Sequence, residues 1–201
     1  MGNLGFTGAG ARTLDFDIEA RPLSWYGGDW VTREVTAIAA RFIDEPESKT
    51  RVWLLGPHTQ EEMLLGFVEL YDVADIVTGH YIRGFDLPNV NAALFEHGLP
   101  GLSDKYSVDT KLDLVKFQGL SKSQENLGAM LGLEHPKVSM DQAKWRAANR
   151  LEADGIALTK KRVIGDVNQH IEMLAELRSR GMLGSGKVWS ARANGGTKYQ
   201  P

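Results

Sequence analysis

The sequence predicts an α/β fold: a central mixed five-stranded sheet, made of a three-strand meander plus parallel strands, flanked by helices. Three observations predict it. Early segments alternate apolar and polar residues with the two-residue period of strands. Later segments repeat apolar residues at three- and four-residue intervals, as helices do. Between helical stretches lies a short apolar run, Asp75-Ile76-Val77-Thr78-Gly79-His80, of the length and composition of a buried strand.

The first strand, Arg12–Ile18, sets the argument. In Thr13-Leu14-Asp15-Phe16-Asp17-Ile18-Glu19 the side chains of Asp15, Asp17 and Glu19 share one face and those of Leu14, Phe16 and Ile18 the other. A row of carboxylates beside a buried apolar row needs positive charge to neutralise it. A hard divalent cation such as Mg²⁺, which prefers carboxylate oxygens, supplies that charge. Asp15 sits ~6.6 Å behind Asp17 along a strand, below such an ion, and suits a salt bridge to a basic neighbour.

Arg33–Ile43 and Thr50–Leu55 complete the meander. Thr59-Gln60-Glu61-Glu62 has the form of a capping box and opens a helix with Met63, Leu64, Phe67, Val68 and Tyr71 on its core face. After the buried strand at 75–80, a helix is expected over Asn89–His97, with Asp86 near its N-terminus, where a carboxylate is favoured or serves as a plain cap. Tyr106–Leu114 reads as a fifth strand or a strand-to-helix turn. A short helix follows from Ser123 to Gly132, then one near Met140–Asn149, then a long one over Gly155–Arg180 bearing Asp166. Two other features suit a nucleic acid. Trp25 and Tyr26, in a Pro- and Gly-punctuated loop, can stack on bases. Lys137 belongs to the most basic internal stretch and can meet phosphates. Residues 1–11 read as a flexible lead, 12–183 as the single domain and 184–201 as a flexible basic tail.

Composition bounds the function. A chain of 201 residues with 42% hydrophobic and 24% charged residues is an ordinary globular domain. Its formal charge of −3 excludes a globally basic nucleic-acid binder but allows an acidic cleft with basic flanks. Absence of cysteine excludes disulfides and thiolate metal sites and suits a reducing cytoplasm. No apolar run reaches membrane-spanning length, and the N-terminus lacks the pattern of a secretion signal.

Taken in order, Asp17-Ile18-Glu19, then Val77-Thr78-Gly79-His80-Tyr81-Ile82-Arg83-Gly84-Phe85-Asp86-Leu87-Pro88, then Val108-Asp109-Thr110 with Gln124–Leu133, and finally Gly165-Asp166-Val167 resemble the motifs of the DnaQ-like (DEDD) 3′→5′ exonucleases. The similarity covers about Arg12 to Leu183. It is greatest to polymerase-B-related exonucleases encoded beside replication genes in tailed phages. The resemblance implies a ribonuclease H-like fold and a two-metal site for Mg²⁺ or Mn²⁺. In it Asp17 would bridge both ions, Glu19 and Asp166 would complete one and Asp86 would support the other. It also implies DNA as substrate, as a single strand or a 3′ end, a phage DNA polymerase or other replication protein as partner, and a place in the bacterial host cytoplasm.

One departure matters. Where the family carries a Tyr or His before its last aspartate, this sequence has Arg162 and Lys161, and neither is a base at neutral pH. His170, one helical turn after Asp166, is the expected substitute, with His80 beside Tyr81 a second. His80 and Tyr81 are expected against the substrate, and Arg162 is suited to clamping a phosphate. Two further readings compete: a structure-specific endonuclease on the same fold, and a catalytically weak nucleic-acid-binding or polymerase-associated module.

Overall fold

The structure, a computed structural model, describes residues 10–23, 31–116, 118–135 and 138–192. It is an α/β fold with a six-stranded mixed sheet in the order β3-β2-β1-β4-β5-β6. Strands β1 (Thr13–Pro22), β2 (Arg33–Phe42) and β3 (Arg51–Leu54) form the antiparallel meander. Strands β4 (Ile76–Gly79) and β5 (Lys105–Asp109) continue it in parallel from β1. The sixth strand, β6 (Lys187–Trp189), pairs antiparallel with β5 and raises the expected count of five. It falls inside the stretch read as a flexible tail. Gly186 admits it to the sheet edge, because a Cβ there would stand 2.4 Å from the Ser107 carbonyl oxygen.

The alternation read from β1 fixes the layers. Leu14, Phe16 and Ile18 are sealed under α1 (Gln60–Val73) and α2 (Asp86–Glu96), against Met63, Leu64, Phe67, Leu87 and Val90. Burial of each such side chain contributes roughly 1.5–3 kcal/mol. Helix α1 begins as expected, with the Thr59 hydroxyl accepting from the Glu62 N–H and Glu62 accepting from the Thr59 N–H. Helix α2 starts three residues earlier than expected, so Asp86 is its first helical residue rather than a preceding cap.

The opposite face is covered by α5 (Ala153–Ser179), which packs Val163 and Val167 onto Ala37 and Ala39 of β2. Those alanines pair in register with Glu19 and Asp17. Their small side chains let a helix lie close to the sheet where the carboxylates emerge. Two short helices, α3 (Gln124–Leu131) and α4 (Gln142–Asn149), flank α5. Serine and aspartate cap them, Ser123 accepting from the Asn126 N–H and Asp141 from the Lys144 N–H. Among the described residues no helix is long and apolar enough to cross a membrane.

Candidate metal centre

The site grows from how β1 meets α5. Two residues of strand advance ~6.6 Å and four residues of helix ~6 Å, so alternate residues on β1 can meet every fourth residue of α5. The result is a ladder of three rungs running in opposite sequence directions. Glu19 pairs with Arg162, Asp17 meets Asp166, and Asp15 pairs with His170.

The middle and upper rungs form the acidic cluster. One carboxylate oxygen from each of Asp17, Glu19 and Asp166 lies within 4.8 Å of the others. They open into a cleft of about 290 Å³ that Asp86, His80, Tyr81, Lys111, Gln124 and Arg162 also line. Three convergent carboxylates at this separation are a donor set that fits a hard divalent cation such as Mg²⁺ or Mn²⁺. Asp86 stands on the cleft wall, outside the convergent group, where its Oδ1 accepts the Ile18 N–H at 3.1 Å. Burial pushes its carboxyl up to about 8, aided by the nearby charges of Asp109 and Glu19 against two backbone N–H bonds that pull it down.

Arg162 fills the position beside the acids. Its Nε donates to Glu19, its Nη1 donates to the Val138 carbonyl at 2.7 Å, and its Nη2 lies 3.7 Å from Asp166 Oδ2. The guanidinium also lies over Trp145 of α4, 5.3 Å from the ring centre. Burial opposes its charge, but Glu19 and Asp166 outweigh that cost and hold its pKa above the ordinary arginine value. It is a permanent cation.

His170, expected as the catalytic base, is not brought to the cleft. It is 2% exposed, its Nδ1 bonds Asp15, and its Nε2 lies 2.9 Å from the Thr110 hydroxyl. The physical reason is the ladder: one turn beyond Asp166 lies one rung deeper, at the level of Asp15. The salt bridge expected of Asp15 is therefore the one to His170, in surroundings where burial raises the Asp15 carboxyl and His170 draws it back in part. The Thr110 hydroxyl also meets His80 Nδ1 at 2.9 Å, and His80 Nε2 faces the Lys122 carbonyl at 2.9 Å. A carbonyl only accepts, so Nε2 carries hydrogen and, in neutral His80, Nδ1 accepts from Thr110. His80 lines the cleft with both ring nitrogens engaged in the protein.

Tyr81 reaches the cleft in a left-handed backbone conformation, φ 72°. Asp109 holds it there, accepting the N–H groups of Tyr81, Arg83, Lys111 and Leu112 at 3.0 Å. The Tyr81 ring rests against Gly84, where an added Cβ would come within 2.4 Å of it. Trp25, Tyr26 and Lys137 lie outside the described residues.

Three contributors escaped the sequence reading. Lys111 lines the cleft with its ammonium 4.0 Å from the Tyr81 ring centre. Gln124 donates to the Asp166 carbonyl at 2.9 Å and ties α3 to the turn of α5 that carries Asp166. Trp145 backs Arg162. Lys111 had a signal in its place directly after Asp109-Thr110, and Gln124 in opening the Gln124–Leu133 motif; Trp145 had none.

No protein-family model matches the sequence, and no curated protein does. Among solved structures, the chain is similar to the family B DNA polymerase of the hyperthermophilic archaeon Pyrobaculum calidifontis, with a TM-score of 0.62 and 18% identity over 84% of this chain. The chain spans 25% of that polymerase's length. At this identity the likeness is one of fold, and the mixed sheet flanked by helices agrees with the ribonuclease H-like class.

Proposed function

We propose that the protein is a divalent-metal-dependent 3′→5′ exonuclease that shortens DNA from its 3′ end. The observation that carries this reading is the convergence of Asp17, Glu19 and Asp166 within 4.8 Å at the mouth of a cleft. These three acids would hold Mg²⁺ or Mn²⁺, with Asp86 in support; the resemblance implies a pair of ions. When bound, the metal supplies charge neutralisation at the phosphate and an activated hydroxide.

The chain's own residues do the rest. Lys111 and Arg162 present cations on the cleft walls, where a phosphodiester's charge needs partners. Tyr81, fixed by Asp109 and partly exposed, brings its aromatic ring to the cleft, where a terminal base can pack against it together with Lys111. His80 bounds the cleft as a positioning group rather than a base, since its nitrogens are committed to Thr110 and Lys122. The motif resemblance extends the proposal to phage replication, repair or recombination in the bacterial host cytoplasm, beside a phage polymerase or another replication protein.

A second reading, a catalytically weak nucleic-acid-binding module, is favoured by Arg162, which stands where the family has its base. One experiment separates the readings. Single-stranded DNA, 5′-labelled, with a free or blocked 3′ end, is incubated with Mg²⁺ or Mn²⁺ and wild type or Asp17→Ala. A ladder that shortens from the free end and vanishes with the block and in Asp17→Ala is expected. Internal cuts despite the block would mean an endonuclease. Binding with no cleavage would mean the weak module.

A further inference from the structure

We infer that Arg162 is a resident cation of the metal centre, so that the protein without DNA takes up one divalent ion rather than two. The inference rests on the metal-centre reading and deepens it.

Geometry comes first. Arg162 projects from α5 one turn before Asp166 and is held on three sides, by Glu19 of β1, by the Val138 carbonyl and by the face of Trp145. Its side chain is 13% exposed, as is that of Glu19. An arginine present only to solvate a surface would point outward. This one faces two of the three converging acids, and Asp17 also bears on its charge. The three carboxylates carry three formal negative charges, and Arg162 returns one. What remains is the charge of a single divalent ion. Two ions beside a retained Arg162 would leave a surplus of positive charge in a partly desolvated cleft, even with Asp86 counted, and such a surplus is costly at low effective dielectric. The second ion implied by the resemblance must therefore displace the guanidinium from Glu19 and Asp166. Freed, Arg162 stays within the cleft it already lines, facing the place of a substrate phosphate.

The test is calorimetric titration of the metal-free full chain with MnCl₂, comparing wild type, Arg162→Gln, Arg162→Lys and Asp17→Ala. One ion per wild-type chain is expected. Arg162→Gln should bind the first ion roughly tenfold tighter or more and admit a second, because a unit positive charge beside the ion is gone. Arg162→Lys, which keeps the charge, should behave as wild type; a purely structural arginine would not be rescued in this way. Two ions on the wild type overturn the inference. So do equal stoichiometry and affinity in wild type and Arg162→Gln. If Arg162→Gln fails to fold, the wild-type stoichiometry decides alone. The two readings fail separately. A wild type that binds two ions and cleaves DNA refutes the inference and leaves the nuclease. A wild type that binds one ion and cleaves nothing retains the inference and removes the nuclease.

Discussion

The two ends of the β1–α5 ladder are both acid–base pairs, and they serve different ends. At the deep end, Asp15 and His170 are 0% and 3% exposed, with Thr110 closing the second ring nitrogen. At the cleft end, Glu19 and Arg162 open on the cavity beside Asp17 and Asp166. The same spacing, two residues on a strand against four on a helix, builds each rung. Depth separates them: the lower pair is sealed from solvent, whereas the upper pair faces a cleft where, on the proposed reading, an ion or a phosphate would take a partner's place.

The sharpest way to break that contrast is Asp17→Ala. It should lower metal-dependent cleavage by roughly a thousandfold or more, as loss of a ligand to a hydrolytic metal does, without lowering the melting temperature in EDTA. Next in size is His170→Ala, which leaves Asp15 buried without its partner. A cost of about 3–5 kcal/mol is expected, or roughly 10 °C in melting temperature. Cleavage per folded molecule, measured well below melting, should change by less than about twofold, since a residue outside the reacting atoms does not enter the transition state. A loss near a hundredfold would restore His170 as the base and erase the distinction between the rungs.

Asp86 sharpens the comparison through pH. Its folded pKa of about 8 exceeds the usual 3.8, so between these values the native state holds a proton that the unfolded chain releases. The group's contribution to stability is complete below pH 3.8 and is lost as pH rises toward 8. Metal-free protein should therefore lose stability over that range. Asp86→Asn, which keeps the acceptor for the Ile18 N–H, should flatten the slope and raise the melting temperature at pH 8 by roughly 4–8 °C. Chemical denaturation across pH in EDTA reads this directly. The smallest effect is expected for Lys111→Ala. It should weaken DNA binding by roughly three- to tenfold and reduce the salt slope by about one, as loss of one phosphate contact does.

Much of this was legible in the chain. The alternation of β1, the Thr59–Glu62 box and the apolar stripe of α5 are local patterns, and local physics produces them. Asp17, Glu19, Asp86 and Asp166 could be placed around one cleft because each sits at a recognisable position of a strand or helix. The rung of His170 could not be read, because helical spacing fixes a face but says nothing of how far along the strand that face is met. Strand β6 escaped for a related reason. Three residues in a Gly- and Ser-rich stretch carry no signal of their own, and their partner Lys105–Ser107 lies some eighty positions away. Lys111 and Trp145 likewise acquire meaning only from Tyr81 and Arg162, which tertiary structure brings to them.

The claim that the upper rungs form a divalent-metal site is tested most directly by thermal melting of wild type and Asp17→Asn in EDTA and in millimolar Mg²⁺ or Mn²⁺. Binding to the folded state alone raises melting, and removal of one clustered charge relieves repulsion in the absence of metal. The wild type should gain several degrees with metal. Asp17→Asn should melt higher than wild type in EDTA and gain almost nothing with metal. No metal shift in the wild type, or an equal shift in both proteins, would mean that the upper rungs hold no metal through Asp17.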